Sequence, residues 1–143
     1  MWGSMEVILA TTNEEVVEIA PLMQQLRPKY ELEQLIDLMS QQRKNGYQLV
    51  YVRADDTILC VAGFVTGHKL GWGNYLYVDD LVTDEAQRST GAGKYLMEWF
   101  KDYAHINQIE QIHLDSGVHR YGAHKFYLKE DFVISSHHFV CQC

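Results

Sequence analysis

Proline is scarce in this chain, with two residues among 143. Pro-rich linkers and polyproline spacers are therefore excluded. Cysteine is also scarce: Cys60, Cys141 and Cys143 are an odd set whose spacing suits no disulfide framework. A reducing, cytoplasmic compartment is expected. No apolar run approaches the roughly 20 residues that span a bilayer, so no membrane association is expected. The early run from Val7 to Ala10 is too short for the core of a secretory signal. Basic residues are in the minority, with Lys plus Arg at 12 against Asp plus Glu at 19 and a net charge of −7. Neither half of the chain is basic, which argues against nucleic-acid binding. An acidic surface instead attracts cations, amines among them.

What remains is ordinary for a globular protein: 47% hydrophobic, 12% aromatic and 22% charged residues. The length suits one domain of roughly 100–200 residues. Gly3-Ser4 immediately before Met5 has the form of a cloning scar. Residues 1–4 are thus expected to be a scar, and 5–143 a single domain.

The pattern predicts a strand over 6–11. Thr12-x-x-Glu15 is a capping box that opens a helix with Val16, Ile19, Met23 and Leu26 on one face. Pro28 ends that pattern. A second helix is expected from about Glu31 to Lys44, closed by Asn45-Gly46. Tyr47 to Arg53 and Thr57 to Thr66 read as a hairpin, and Asn74 to Thr83 as a further strand. Gly67, Gly71 and Gly73 are assigned to the connection between them. The period turns helical from Thr90 to His105. A short strand over 111–115, a helix over 119–129 and a closing strand from Phe132 to Cys141 follow. The order β-α-α-β-β-β-α-β-α-β implies a mixed α/β fold: a mixed, mostly antiparallel sheet with helices on both faces.

The segment that carries chemistry runs from Tyr75 to Gly93: a strand, a turn, then Arg88-x-x-Gly91-x-Gly93 opening an amphipathic helix. Backbone N–H groups at a helix start have no intrahelical acceptor, and the helix dipole is positive there. Glycines let a phosphate approach that backbone without meeting a Cβ, so the unit reads as a phosphate cradle. A P-loop does not fit, because position 88 is Arg and position 95 is Tyr. A dinucleotide fingerprint fails as well, since position 96 is Leu and the loop follows the fourth strand.

Together with Arg120-x-x-Ala123-His124-x-Phe126-Tyr127 downstream and the element order, the segment resembles the acyl-CoA-binding motif of the GNAT superfamily of N-acetyltransferases. The resemblance implies a sheet splayed between strands 4 and 5, with acetyl-CoA as co-substrate in the splay. Its pantetheine arm would pair with Leu81, Val82 and Thr83 as an added strand. Its pyrophosphate would rest on Arg88, Ser89, Thr90, Gly91, Ala92, Gly93 and Lys94. By similarity to diamine-type members, Asp79 matches the general base or ammonium anchor and Asp80 is structural; a reversed facing of the strand would swap the two, and the short Asp leaves a water relay open. Tyr127 matches the acid for the CoA thiolate. Strict alternation puts Asp79 on a face with Tyr77 and Leu81, and Asp80 on the other. The acceptor is expected opposite the cofactor, near Tyr30, Glu31, Trp72, Tyr75 and Asp80, where aromatics and carboxylates suit a cation.

The chain departs from the family pattern at Ser89, at Arg120, and at Glu130-Asp131-Phe132. His124 is expected to orient a loop or cap the fold. His137-His138 with Cys141-x-Cys143 fits no common zinc spacing, so no metal is expected. The implied activity is acetyl transfer to a small-molecule amine or a protein amino group. The alternative is a non-catalytic CoA-binding module of the same fold. The sheet edge left by the closing strand leads to the expectation of a homodimer.

Overall fold

The structure is a computed structural model and describes residues 4–88 and 90–143. Most of the expected scar, Met1 to Gly3, lies outside the described residues, as does Ser89 of the expected phosphate cradle. The chain divides into two compact units, Met1–His113 and Leu114–Cys143.

The first unit is built on a sheet with strand order β1-β2-β3-β4-β5. Its strands are β1 (Met5–Leu9), β2 (Gln48–Ala54), β3 (Thr57–Lys69), β4 (Gly73–Thr83) and β5 (Gln111–Leu114). The helices are α1 (Asn13–Leu26), α2 (Leu32–Lys44) and α3 (Ala92–Ile106). The four strands β1 to β4 pair antiparallel in succession. After the crossover through α3, β5 enters beside the start of β4, where Glu110 N–H donates to the Asn74 carbonyl at 2.8 Å. With four residues against eleven in β4, β5 stops short, so β4 runs on past it.

The capping box forms as read. Thr12 Oγ1 accepts from Glu15 N–H at 3.1 Å, and Glu15 Oε1 accepts from Thr12 N–H at 3.2 Å. Tyr51 O–H donates to Glu15 Oε2 at 2.6 Å, tying the start of α1 to β2. On this face Val16, Ile19, Met23, Leu35 and Met39 of the helices pack on Leu49, Tyr51 and Val61 of the sheet. The opposite face carries α3: Phe64 sets its ring edge-on to Phe100 and Tyr103, with centroids 5.3 and 5.5 Å apart. Such pairs add roughly 0.5–1.5 kcal/mol beyond area burial.

The structure departs from expectation at Gly67 and at the C-terminal segment. Gly67 belongs to β3, not to a connection. A Cβ there would stand 2.7 Å from the Tyr75 hydroxyl, so glycine makes room for a cross-strand ring and β3 continues to Lys69. The closing strand over 132–141 is absent among the described residues. Its apolar residues come as adjacent pairs, Val133-Ile134 and Phe139-Val140, all exposed. Any strand would turn one of each pair to solvent, so alternation gives it no face to bury. The edge on which the expected homodimer rested is absent with it.

The second unit holds α4 (Tyr121–Lys129). His124 Nε2–H donates to the Gly117 carbonyl at 2.7 Å, holding the loop that precedes the helix.

Candidate functional site

The pairing of β3 with β4 slips by one residue at mid-strand. Gly63 pairs with Asp80 and Phe64 with Val78, so Asp79 is an inserted residue without a partner in β3. This is a β-bulge, a device that re-aims side chains next to functional sites. It also resets the alternation. Tyr75 and Tyr77 oppose Gly67 and Val65, while Asp80 and Val82 oppose Gly63 and Val61. Tyr77 thus shares a face with Asp80 and Val82, and Leu81 lies opposite. The expected grouping of Asp79 with Tyr77 and Leu81 rested on unbroken alternation and is overturned by the inserted residue.

The two aspartates are treated differently. Asp80 Oδ1 accepts from Arg27 Nε–H at 3.0 Å and Nη2–H at 2.7 Å, and Oδ2 accepts from Tyr47 O–H at 2.6 Å. Arg27 is the C-cap residue of α1 and Tyr47 precedes β2. Arg27 Nη2–H also reaches the Asp79 carbonyl at 3.4 Å. Burial raises the Tyr47 phenol far above its ordinary range, and the Asp80 charge adds to the effect, so Tyr47 stays protonated and donates. Gly63 admits this contact, because a Cβ there would overlap the Tyr47 hydroxyl. Asp79 is exposed. Partial burial first, and then the neighbouring Asp80 charge, raise its carboxyl above the ordinary carboxylate range, against the pull of Arg27. A carboxyl tuned upward beside a fixed ion pair is a better proton acceptor than an ordinary carboxylate.

Beside Asp80 lies a cavity of about 180 Å³ between α1, α2 and the sheet. Of the residues expected to face an acceptor, Tyr30 and Asp80 line it. Glu31 is the exposed N-cap residue of α2 and lies outside that lining. Trp72 and Tyr75 belong to a separate cluster. The Trp72 ring stacks on His113 at 3.5 Å, and the Tyr75 ring meets it edge-on at 5.3 Å. Lys69 Nζ already sits over both rings, at 4.0 and 5.1 Å. The cation–π platform anticipated for an acceptor is filled by the chain's own lysine.

The glycine loop leads into a helix start whose first amides have no intrahelical acceptor. Glu85–Gln87 make a single 3-10 turn after β4, and Gly91 is the N-cap of α3 with φ +87°. That left-handed conformation costs a non-glycine residue about 1–2 kcal/mol. Thr90 Oγ1 accepts from Ala92 N–H at 3.4 Å. The amides of Gly93 and Lys94 follow in the first turn of the 15-residue helix, before any intrahelical acceptor is available. Arg88 is exposed beside them. Lys94 leans toward Glu98, one turn on, at 3.7 Å. Leu81, Val82 and Thr83 lie in the part of β4 that runs past β5. Tyr127, in the second unit, is half-buried, with its ring against Phe126 and Phe132 at 5.5 and 5.8 Å.

Sequence reasoning missed Arg27 and Tyr47, which stand 53 and 33 residues from Asp80. The usable signal was Gly63, a glycine inside an apolar strand, which marks close approach of another group. The bulge leaves no local signature.

The chain matches the model of the Acetyltransferase (GNAT) family over residues 13–132. It is 32% identical over 131 residues to YhdJ of Bacillus subtilis (strain 168), described as an uncharacterized N-acetyltransferase, with 90% of this chain and 92% of that protein covered. It is similar in structure to a ribosomal-protein-alanine N-acetyltransferase from Brucella melitensis biovar Abortus 2308, with TM-score 0.84, 17% identity, and 98% and 99% of the two chains covered. It is also similar to the aminoglycoside N-acetyltransferase AAC(6')-Iy solved in complex with CoA, with TM-score 0.82, 11% identity, and 98% and 95% covered. At those identities the two structural likenesses carry the fold.

Proposed function

The chain belongs to the Acetyltransferase (GNAT) family, and on that premise we propose that it moves an acetyl group from acetyl-CoA to a primary amine by direct attack in a ternary complex. The observation that carries the proposal is the order of features along one segment: the bulge at Asp79, the strand end that outruns β5, and the left-handed Gly91 that opens α3.

In this reading Leu81, Val82 and Thr83 offer backbone to the pantetheine amides, as an edge strand would. The cradle of Arg88, Ser89, Thr90, Gly91, Ala92, Gly93 and Lys94 offers amides and positive charge to the pyrophosphate. The solved relative with CoA bound supports this choice of co-substrate. Acetyl-CoA supplies the activated thioester. An alkylammonium near pKa 10 is not a nucleophile, so the chain must take its proton, and Asp79 is the group assigned to do so. Asp80, with its oxygens taken by Arg27 and Tyr47, positions the strand and sets the field at Asp79. Tyr127 is assigned, by family resemblance, to protonate the departing thiolate. Three cysteines at a spacing that suits no disulfide framework support a proposed reducing, cytoplasmic location.

The experiment is a thermal melt with and without millimolar acetyl-CoA, followed by thiol release over a panel of amines. A ligand that binds the native state raises its melting temperature. Stabilisation with turnover supports the proposal. Stabilisation without turnover favours a CoA-binding module instead, and no stabilisation removes both.

A further inference from the structure

The cavity beside Asp80 has a charge opposite to that of the chain. Across the sequence the net charge is −7, yet the charged residues lining this cavity are Arg27, Lys29 and Asp80. Two are cationic. The one acid is already engaged, Oδ1 by Arg27 and Oδ2 by Tyr47. Arg27 spends Nε and Nη2 on that contact, and guanidinium has five N–H donors in all. Lys29 Nζ stands 5.0 Å from the Tyr30 ring centroid at the same cavity. The remaining walls include Met23, Leu35, Leu38 and Met39. At about 180 Å³ the space is well below the roughly 300–1,000 Å³ of a drug-sized site. It suits one amino-acid side chain better than a polycyclic amine.

We infer that the acceptor is a small amine that also carries a carboxylate and an apolar side chain, an α-amino acid in chemical class; this rests on the acetyl-transfer reading above. The carboxylate meets Arg27 and Lys29, and the side chain enters between α1 and α2. The amine is directed out of the cavity toward Asp79, which neighbours the lining residue Asp80 in the chain and whose backbone carbonyl lies 3.4 Å from Arg27 Nη2. A polycation such as an aminoglycoside or a polyamine would bring like charge against Arg27 and Lys29 and find no unengaged carboxylate among the lining residues. The acidic composition, read alone, points to the opposite class.

The test compares L-leucine, L-leucinamide and spermidine as acceptors in a thiol-release assay with acetyl-CoA, using the full chain and Lys29→Gln. Leucinamide keeps the side chain and removes the negative charge; because this also lowers the pKa of its amine, kcat/KM is compared per free-base amine at several pH values. Leucine is expected to exceed leucinamide by about tenfold in kcat/KM, the scale of one charge-assisted hydrogen bond. Lys29→Gln is expected to raise KM for leucine and narrow that ratio. Equal use of leucine and leucinamide, or preference for spermidine, overturns the inference while leaving acetyl transfer intact. If none of these three is acetylated while another amine of the panel is, the inference fails and transfer stands; if the whole panel fails, the transfer reading fails, and a binding arm decides the cavity by itself. There, leucine and leucinamide are titrated calorimetrically into wild type and Lys29→Gln. Binding of leucine over leucinamide that weakens in the variant upholds a carboxylate site; no difference overturns it.

Discussion

Tyr47→Phe removes one oxygen from the polar cluster behind the candidate site. The ring remains, so the packing against Gly63 is kept. What disappears is the 2.6 Å hydrogen bond to Asp80 Oδ2. Tyr47 is 6% exposed and the Asp80 side chain 15%, so water is poorly placed to take over. A hydrogen bond to a charged group contributes about 1.5–3 kcal/mol, and the stranded acceptor bears its own desolvation cost. At about 3 °C per kcal/mol for a chain of this size, the melting temperature should fall by roughly 4–9 °C. The assay is a reversible melt at neutral pH, backed by urea unfolding with an unchanged slope. A double-mutant cycle with Asp80→Asn isolates the pair, and the double variant should lose less than the two single losses added. A Tyr47→Phe protein melting within about 1 °C of wild type would refute this account, because a 3 °C per kcal/mol scale leaves no room for a buried charged hydrogen bond.

Other consequences concern the carboxylates and the glycine cradle. The Tyr51 hydroxyl first, opposed by burial and helped by the Thr11 and Thr12 amides, lowers the Glu15 carboxyl from 4.5 to about 2. Its stabilising contribution is therefore complete above pH 4.5 and lost as pH falls toward 2; Glu15→Gln should flatten that acid limb in denaturant titrations, and an unaltered limb would assign it to other groups. Asp79 is raised above its ordinary range, so as a base it works once ionised, and kcat/KM should climb through that raised pKa. Asp79→Asn should cost about 10²–10⁴-fold and erase the limb in a pH–rate profile, whereas a limb that persists would transfer the role elsewhere. Gly91→Ala should destabilise by about 1–2 kcal/mol and weaken acetyl-CoA binding, because φ is +87° there; calorimetric titration with unchanged affinity would separate the loop from the phosphates.

Features written in local spacing were legible in the sequence. Thr12 and Glu15 announced the start of α1, and Asn45-Gly46 announced the end of α2. The strand, turn and glycine loop leading into α3 were equally plain, because each depends on neighbours within a few residues. The bulge at Asp79 was not legible: inserting a residue against β3 is a property of pairing between strands, and nothing in Tyr75 to Thr83 marks which residue is extra. The same holds for the Arg27–Asp80–Tyr47 cluster, assembled from the end of α1, β4 and the approach to β2. Trp72 and Tyr75 were legible as aromatics near a cation, but the cation is Lys69 of the same hairpin. The reading of 132–141 as a strand took apolar content for alternation. Val133-Ile134 and Phe139-Val140 supply the first without the second.

Passage of an acetyl group from acetyl-CoA to an amine on this chain, as proposed above, is open to direct measurement. The most direct measurement follows free thiol and acetylated acceptor together, by absorbance and by mass, in one reaction of protein, acetyl-CoA and a primary amine. Thiol is expected in equal amount to N-acetyl product, and both rates are expected to fall together in Asp79→Asn. Acetyl-CoA that binds and stabilises the protein, yet releases no thiol with any amine supplied, would contradict the transfer proposal.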